Sequence, residues 1–114
     1  MNDKEELLNS LVLELRRGAI IMGVMSRLSE SQYGYSLVQT LEQIGFPVEP
    51  GTLYPLLRRL EKQGLLESKW DTSENRPRKY YILSTTGRDI YGRLQTEWRD
   101  LSKIMAVLID KGKE

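Results

Sequence analysis

From Tyr91 to Leu108 the chain places a large apolar residue at intervals of 3, 4, 3, 4 and 3: Tyr91, Leu94, Trp98, Leu101, Met105 and Leu108. Residues so spaced share one side of a helix and form a heptad seam. Ile90, Ile104 and Val107 widen the stripe. Ser84 or Thr85 can cap this helix, which then runs to the end of the chain. At 1.5 Å per residue it is roughly 40 Å long. A chain of 114 residues builds one modest core, too small to cover such a stripe. The surplus seam implies a partner. Leu7 and Leu11 lie on a second apolar helical face, which also holds Leu8, Val12 and Leu15. They are grouped with the seam as expected dimerisation residues.

The remaining pattern supplies the core. Gly18 is expected to bend or break the first helix, because glycine costs about 1 kcal/mol in a helix interior. Beyond it, Ile20, Ile21, Val24, Met25 and Leu28 nearly encircle a helix, as for a centrally buried segment. Ser29-Glu30-Ser31 reads as a turn. A helix from about Gly34 to Ile44 has the buried stripe Leu37, Val38, Leu41, Ile44, and Gly45 and Pro47 end it. A third helix, from about Gly51 to Gln63, buries Leu53, Leu56, Leu57 and Leu60. Its Pro55 is tolerable if Thr52 is the N-cap, which puts the proline in the first turn. Gly51 and Gly64 are read as positions of special backbone geometry. Leu65–Trp70 and Lys79–Leu83 read as strands joined by the polar loop from Asp71 to Arg78, a projecting β-hairpin. Trp70 is expected to pack within it.

Composition narrows the function. The chain contains no cysteine and no histidine. Disulfides and thiolate metal sites are excluded, and zinc, haem and histidine-assisted nucleophilic catalysis lose their usual ligands and bases. No catalytic constellation is visible, so neither an enzyme nor a cofactor or metal site is expected. No apolar run approaches the ~20 residues that span a bilayer, so no membrane partner is expected. The start, Met1-Asn2-Asp3-Lys4-Glu5-Glu6, lacks the basic and apolar regions of a secretory signal. A cytoplasmic location is the expectation.

Net charge is only +1, but its distribution is uneven. Between residues 51 and 79 seven basic side chains (Arg58, Arg59, Lys62, Lys69, Arg76, Arg78, Lys79) face four acidic ones. Opposite the leucines of the third helix stand Pro55, Arg58 and Lys62, flanked by Tyr54 and Arg59. Two medium helices, the second cationic on its outer face, followed by a basic hairpin, make a winged helix-turn-helix. The fold expected is mainly α with a small β-hairpin: a winged helix-turn-helix over residues 1–84 and a long C-terminal dimerisation helix over residues 85–114, in one compact unit. Duplex DNA carries one phosphate charge per about 1.7 Å, and its major groove, about 12 Å wide, admits a helix. The expected DNA contacts are Tyr35, Gln39, Thr52, Tyr54, Pro55, Arg58, Arg59, Lys62, Arg76, Arg78 and Lys79.

The sequence also resembles a known family. Tyr33-Gly34-Tyr35, the run Gly51-Thr52-Leu53-Tyr54-Pro55-Leu56-Leu57-Arg58-Arg59-Leu60-Glu61, then Gly64-Leu65-Leu66, Arg78-Lys79-Tyr80-Tyr81-Ile82-Leu83 and Thr86-Gly87 resemble the PadR transcriptional regulators. Leu15-Arg16-Arg17-Gly18 matches them as well, and the likeness covers roughly residues 13 to 108. The short tail resembles the branch with a single C-terminal helix. The resemblance implies a homodimer joined by that helix and a repressor of a nearby promoter, bound as a pseudo-palindromic operator. Relief by a small aromatic or cationic molecule is also implied. Some members hold flat aromatic compounds between paired tryptophans at the dimer centre, which makes Trp98 the candidate effector contact. Two other readings use the same fold: an aromatic-ligand sensor, or a protein-interaction module that does not bind DNA.

Overall fold

The computed structural model describes residues 2–111. The elements are α1 (Asp3–Ser26), β1 (Gln32–Tyr33), α2 (Gly34–Ile44), α3 (Pro50–Lys62), β2 (Leu66–Asp71), β3 (Arg78–Leu83) and α4 (Thr85–Lys111). No described helix is long and apolar enough to cross a membrane.

α1 is capped by Asn2, whose side chain accepts the Lys4 backbone N–H, and its first turn carries Asp3, Glu5 and Glu6, the sign that the helix dipole favours. The expected break at Gly18 does not occur, and α1 runs through it unbroken. The backbone cost of one glycine is small beside the burial of Val24 and Met25 farther along the same helix, both wholly enclosed. The N-terminal half is different: Leu7, Leu8, Leu11 and Leu15 are exposed.

α2 occupies the expected span and ends at Gly45, whose φ of 96° is left-handed. The Phe46 N–H then returns to the Leu41 carbonyl at 2.9 Å, closing the helix end. Leu37 and Leu41 are buried and Val38 partly so, but Ile44 is 60% exposed, contrary to its expected place in the stripe. It falls at the helix end, beyond the reach of the core, beside Phe46.

α3 begins one residue earlier than the sequence suggests, with Pro50 in its first turn and Glu49 at the cap position. Thr52 is therefore not the N-cap. The Thr52 and Leu53 N–H groups both donate to the Glu49 carbonyl at 2.9 Å. Pro55 consequently sits in the second turn, where it denies the Gly51 carbonyl a helical partner. Both residues are exposed, so water can serve that carbonyl. Gly51 itself has an ordinary negative φ, and only Gly64, at φ 81°, bears out the expected special geometry.

The strands form one antiparallel sheet in the order β1-β3-β2. The hairpin ladder runs from Leu66 opposite Leu83 to Asp71 opposite Arg78, so the strands claim both ends of the expected loop. β1, which the sequence did not announce, pairs Gln32 with Tyr81 and Tyr33 with Tyr80. Two residues are too few to carry an alternation.

The core joins Val24, Met25 and Leu28 to Leu37 and Leu41 of α2, to all four leucines of α3, and to Leu66, Tyr81 and Leu83 of the sheet. α4 is capped by Ser84: its Oγ accepts the Gly87 N–H at 2.9 Å and donates to the Gly64 carbonyl at 2.7 Å. The Ser84 N–H donates to the Leu65 carbonyl, and Arg88 reaches the Ser29 carbonyl at 2.9 Å. The base of α4 is thus tied to both ends of the helix-turn-helix. Tyr91 and Leu94 pack on their own core. From Trp98 onward the apolar side of α4 is uncovered.

Candidate nucleic-acid interface

A helix that buries Leu53, Leu56, Leu57 and Leu60 must turn the opposite face to solvent, and in α3 that face carries Thr52, Pro55, Arg58, Arg59 and Lys62. All five are exposed. Among the described residues no carboxylate lies within 4 Å of Arg58, Arg59 or Lys62, so these charges are not neutralised internally.

Tyr54 lies at the edge of this face and is half-buried. Its ring lies against Gly34, and a methyl group there would come within 2.8 Å of Tyr54 Cε1. The glycine permits α2 and α3 to approach through the ring. Partial burial, together with Tyr33, Tyr81 and Tyr35, pushes the Tyr54 hydroxyl above its ordinary value. The hydroxyl therefore stays protonated as a donor. Tyr35 and Gln39, one turn apart on α2, are exposed on the adjoining surface. Tyr33 lies 6.4 Å from Tyr35 and 5.8 Å from Tyr80, ring centre to ring centre. The structure therefore brings an aromatic seam between α2 and the wing, a grouping that three separate stretches of sequence do not disclose.

The wing cations differ from one another. Arg76 is exposed in the loop with no acidic partner among the described residues. Arg78 lies 5.2 Å above the Tyr33 ring and 3.6 Å from Glu74. Lys79 is more enclosed. Its Nζ lies 3.3 Å from Glu61 Oε1, 5.2 Å from the Tyr81 ring centre and 5.9 Å from that of Trp70. Glu61 also accepts from Ser68 Oγ, and this hydrogen bond, followed by that from Lys79, holds its carboxyl below the usual range. The pairing of Glu61 with Lys79 was not foreseen; 18 residues separate the two, and no periodicity links a helix flank to a strand. Asp71, the first residue of the expected polar loop, ends β2. It accepts the Ser73 N–H at 3.0 Å and Ser73 Oγ at 2.6 Å, shaping the wing loop. Trp70, expected to pack inside the hairpin, is 59% exposed.

Away from the residues of α3 and the wing, an open apolar groove of about 290 Å³ is lined by Ala19, Met22 and Gly23 of α1, Ile44, Phe46 and Trp98. Gly23 makes room for Phe46, since a methyl group at Gly23 would stand 2.7 Å from its ring. Leu7, Leu11, Leu101, Met105 and Leu108 extend the exposed apolar surface along α1 and α4. Tyr91 and Leu94, expected in the same seam, instead cover the core.

These features coincide with a known family. Residues 21–93 match the family described as Transcriptional regulator PadR-like family. A transcriptional regulator of Mycobacterium tuberculosis, Rv3488, is 37% identical over 76 residues, which cover 66% of this chain and 71% of that protein. The fold superimposes on the crystal structure of a PadR family transcriptional regulator from Eggerthella lenta with a TM-score of 0.89 at 44% identity, covering 93% of this chain and 95% of that one. A PadR-like transcriptional regulator from Bacillus cereus gives a TM-score of 0.74 at 29% identity, over 84% of this chain and 96% of that one. The chain belongs to the PadR-like family and is a DNA-binding transcriptional regulator, not an enzyme.

Proposed function

We propose that the chain acts as a homodimeric repressor that reads a pseudo-palindromic operator and releases it when a small planar aromatic molecule binds. The observation that carries this reading is the α3 surface: three exposed cations with no carboxylate within 4 Å among the described residues, on a helix whose opposite side is buried. In this reading Arg58 and Lys62 enter the major groove, with Pro55 and Thr52 beside them, and Arg59 reaches backbone phosphate. Tyr54, Tyr35 and Gln39 line the flank, and Arg76 and Arg78 meet the neighbouring backbone. Lys79 is already engaged by Glu61 and contributes less than the sequence suggests.

The exposed leucines of α1 and the uncovered half of α4 support dimerisation. In a symmetric pair each copy presents one reading helix, which places the half-sites about one helical turn apart. The groove at Trp98 supports the effector reading, because it is apolar, open and walled by two aromatic rings. A cytoplasmic location accords with this role.

A gel-shift series on the gene's own upstream DNA tests the reading. The wild-type protein is expected to bind, Arg58→Ala to bind about tenfold or more weakly, and a planar aromatic compound to release the wild-type complex. Equal binding by wild type and Arg58→Ala rejects the α3 assignment.

A further inference from the structure

Glu61 is an acid on a surface otherwise suited to phosphate, and it is not idle. Its two carboxylate oxygens take two groups from the wing, Ser68 Oγ of β2 and Lys79 Nζ of β3. Lys79 is enclosed further by Trp70 and Tyr81, which flank its ammonium. Ser68, Trp70, Tyr81 and Lys79 share one face of the hairpin, since Ser68 pairs with Tyr81 and Trp70 with Lys79. One carboxylate of α3 therefore holds both wing strands through a single face.

We infer that Glu61 is a positioning residue: it fixes the wing against the reading helix and withholds Lys79 from the DNA backbone, so that the wing favours the operator over unrelated duplex. The inference rests on the proposal that α3 and the wing form the DNA surface. A cation bound to a carboxylate releases no phosphate counter-ion, so it adds nothing to non-specific affinity. A wing held at a set angle delivers Arg76 and Arg78 to one place on the backbone, where contacts set register. Freeing Lys79 reverses both effects.

The test measures the full-length protein on an operator duplex and on an unrelated duplex across a salt series. Three variants are compared with wild type: Glu61→Gln, Lys79→Met and the two combined. Glu61→Gln is expected to bind unrelated DNA more tightly and to steepen its salt dependence by about 0.9 in log–log slope, the value of one phosphate contact. Its preference for the operator should fall about five- to tenfold, the lower part of the range of a single lost contact. The double variant should recover the wild-type slope, because the released cation is gone, a recovery that simple loss of structure would not produce. A Glu61→Gln protein with the wild-type slope and preference overturns the inference and leaves the DNA surface intact. So does a double variant as steep as Glu61→Gln. If wild type itself shows no preference for any duplex, the underlying DNA reading fails instead.

Discussion

Gly87 lies directly beneath the Leu65 carbonyl, so close that a methyl group on its α-carbon would overlap that oxygen and press on Leu83 Cδ2 at 3.2 Å. The contact joins the first turn of α4 to the turn after α3. The nearest obstacle is backbone rather than a flexible side-chain end, so the strain has no cheap outlet. Gly87→Ala is expected to lower stability by about 1–3 kcal/mol, the usual cost of overpacking. Gly92→Ala, an exposed helical position with nothing within 4 Å, should instead gain about 0.5–1 kcal/mol. Urea unfolding of both variants checks the pair, and a harmless Gly87→Ala would show that the joint is loose.

The Glu61 carboxyl is held below its ordinary value of 4.5 by the hydrogen bond from Ser68 and by Lys79. Its folded-state value is the lower one, so its contribution is complete above about pH 4.5 and disappears as pH falls through the folded value. The pair is about one-third exposed, which limits the effect to roughly 1 kcal/mol or less. The stability difference between wild type and Glu61→Gln is expected to shrink on acidification from pH 6 to pH 3. A difference that stays constant over this range would remove the carboxylate from the account.

Leu101, Met105 and Leu108 are exposed along α4, as are Leu7 and Leu11 on α1. Covering such a surface is worth roughly 25 cal/mol per Å² of apolar area, and a charge placed there cannot be covered cheaply. Leu101→Glu and Leu11→Glu are each expected to move the protein from two copies to one in sedimentation equilibrium, with helix content retained. A dimer that survives both changes would place the interface elsewhere.

The chain has two tryptophans, on opposite duties: Trp98 lines the apolar groove and Trp70 stands on the wing. A planar aromatic effector is expected to quench fluorescence in Trp70→Phe but not in Trp98→Phe, whereas operator DNA should perturb Trp70 preferentially. Effector quenching that persists in Trp98→Phe would move the effector out of the groove.

Much of this architecture was legible because long stripes have a period. The leucines of α3, the span of α2 and the long helix α4 follow from apolar spacing and stop signals, and each returns in the structure. The failures are equally physical. Gly18 was overweighted because local propensity is weak against burial farther along the same helix. Thr52 was assigned a cap that Glu49 and Pro50 take over. Tyr91 and Leu94 share the seam's period, but where α4 leaves the core is a tertiary fact. The candidate site was legible as a list of cations; which of them are free was not. The contacts from Glu61 to Lys79 and from Glu74 to Arg78 decide that, and they depend on how the wing lies against α3 and how its loop folds.

The central claim is that two identical reading helices meet DNA about a two-fold axis. Selection of bound sequences from a pool of random duplexes, with the wild-type protein at moderate salt, tests it without any assumed operator. The account predicts enriched inverted repeats whose half-sites are centred about 10 base pairs, or a multiple of that, apart. Enrichment of one asymmetric site, or of none at all, would contradict it.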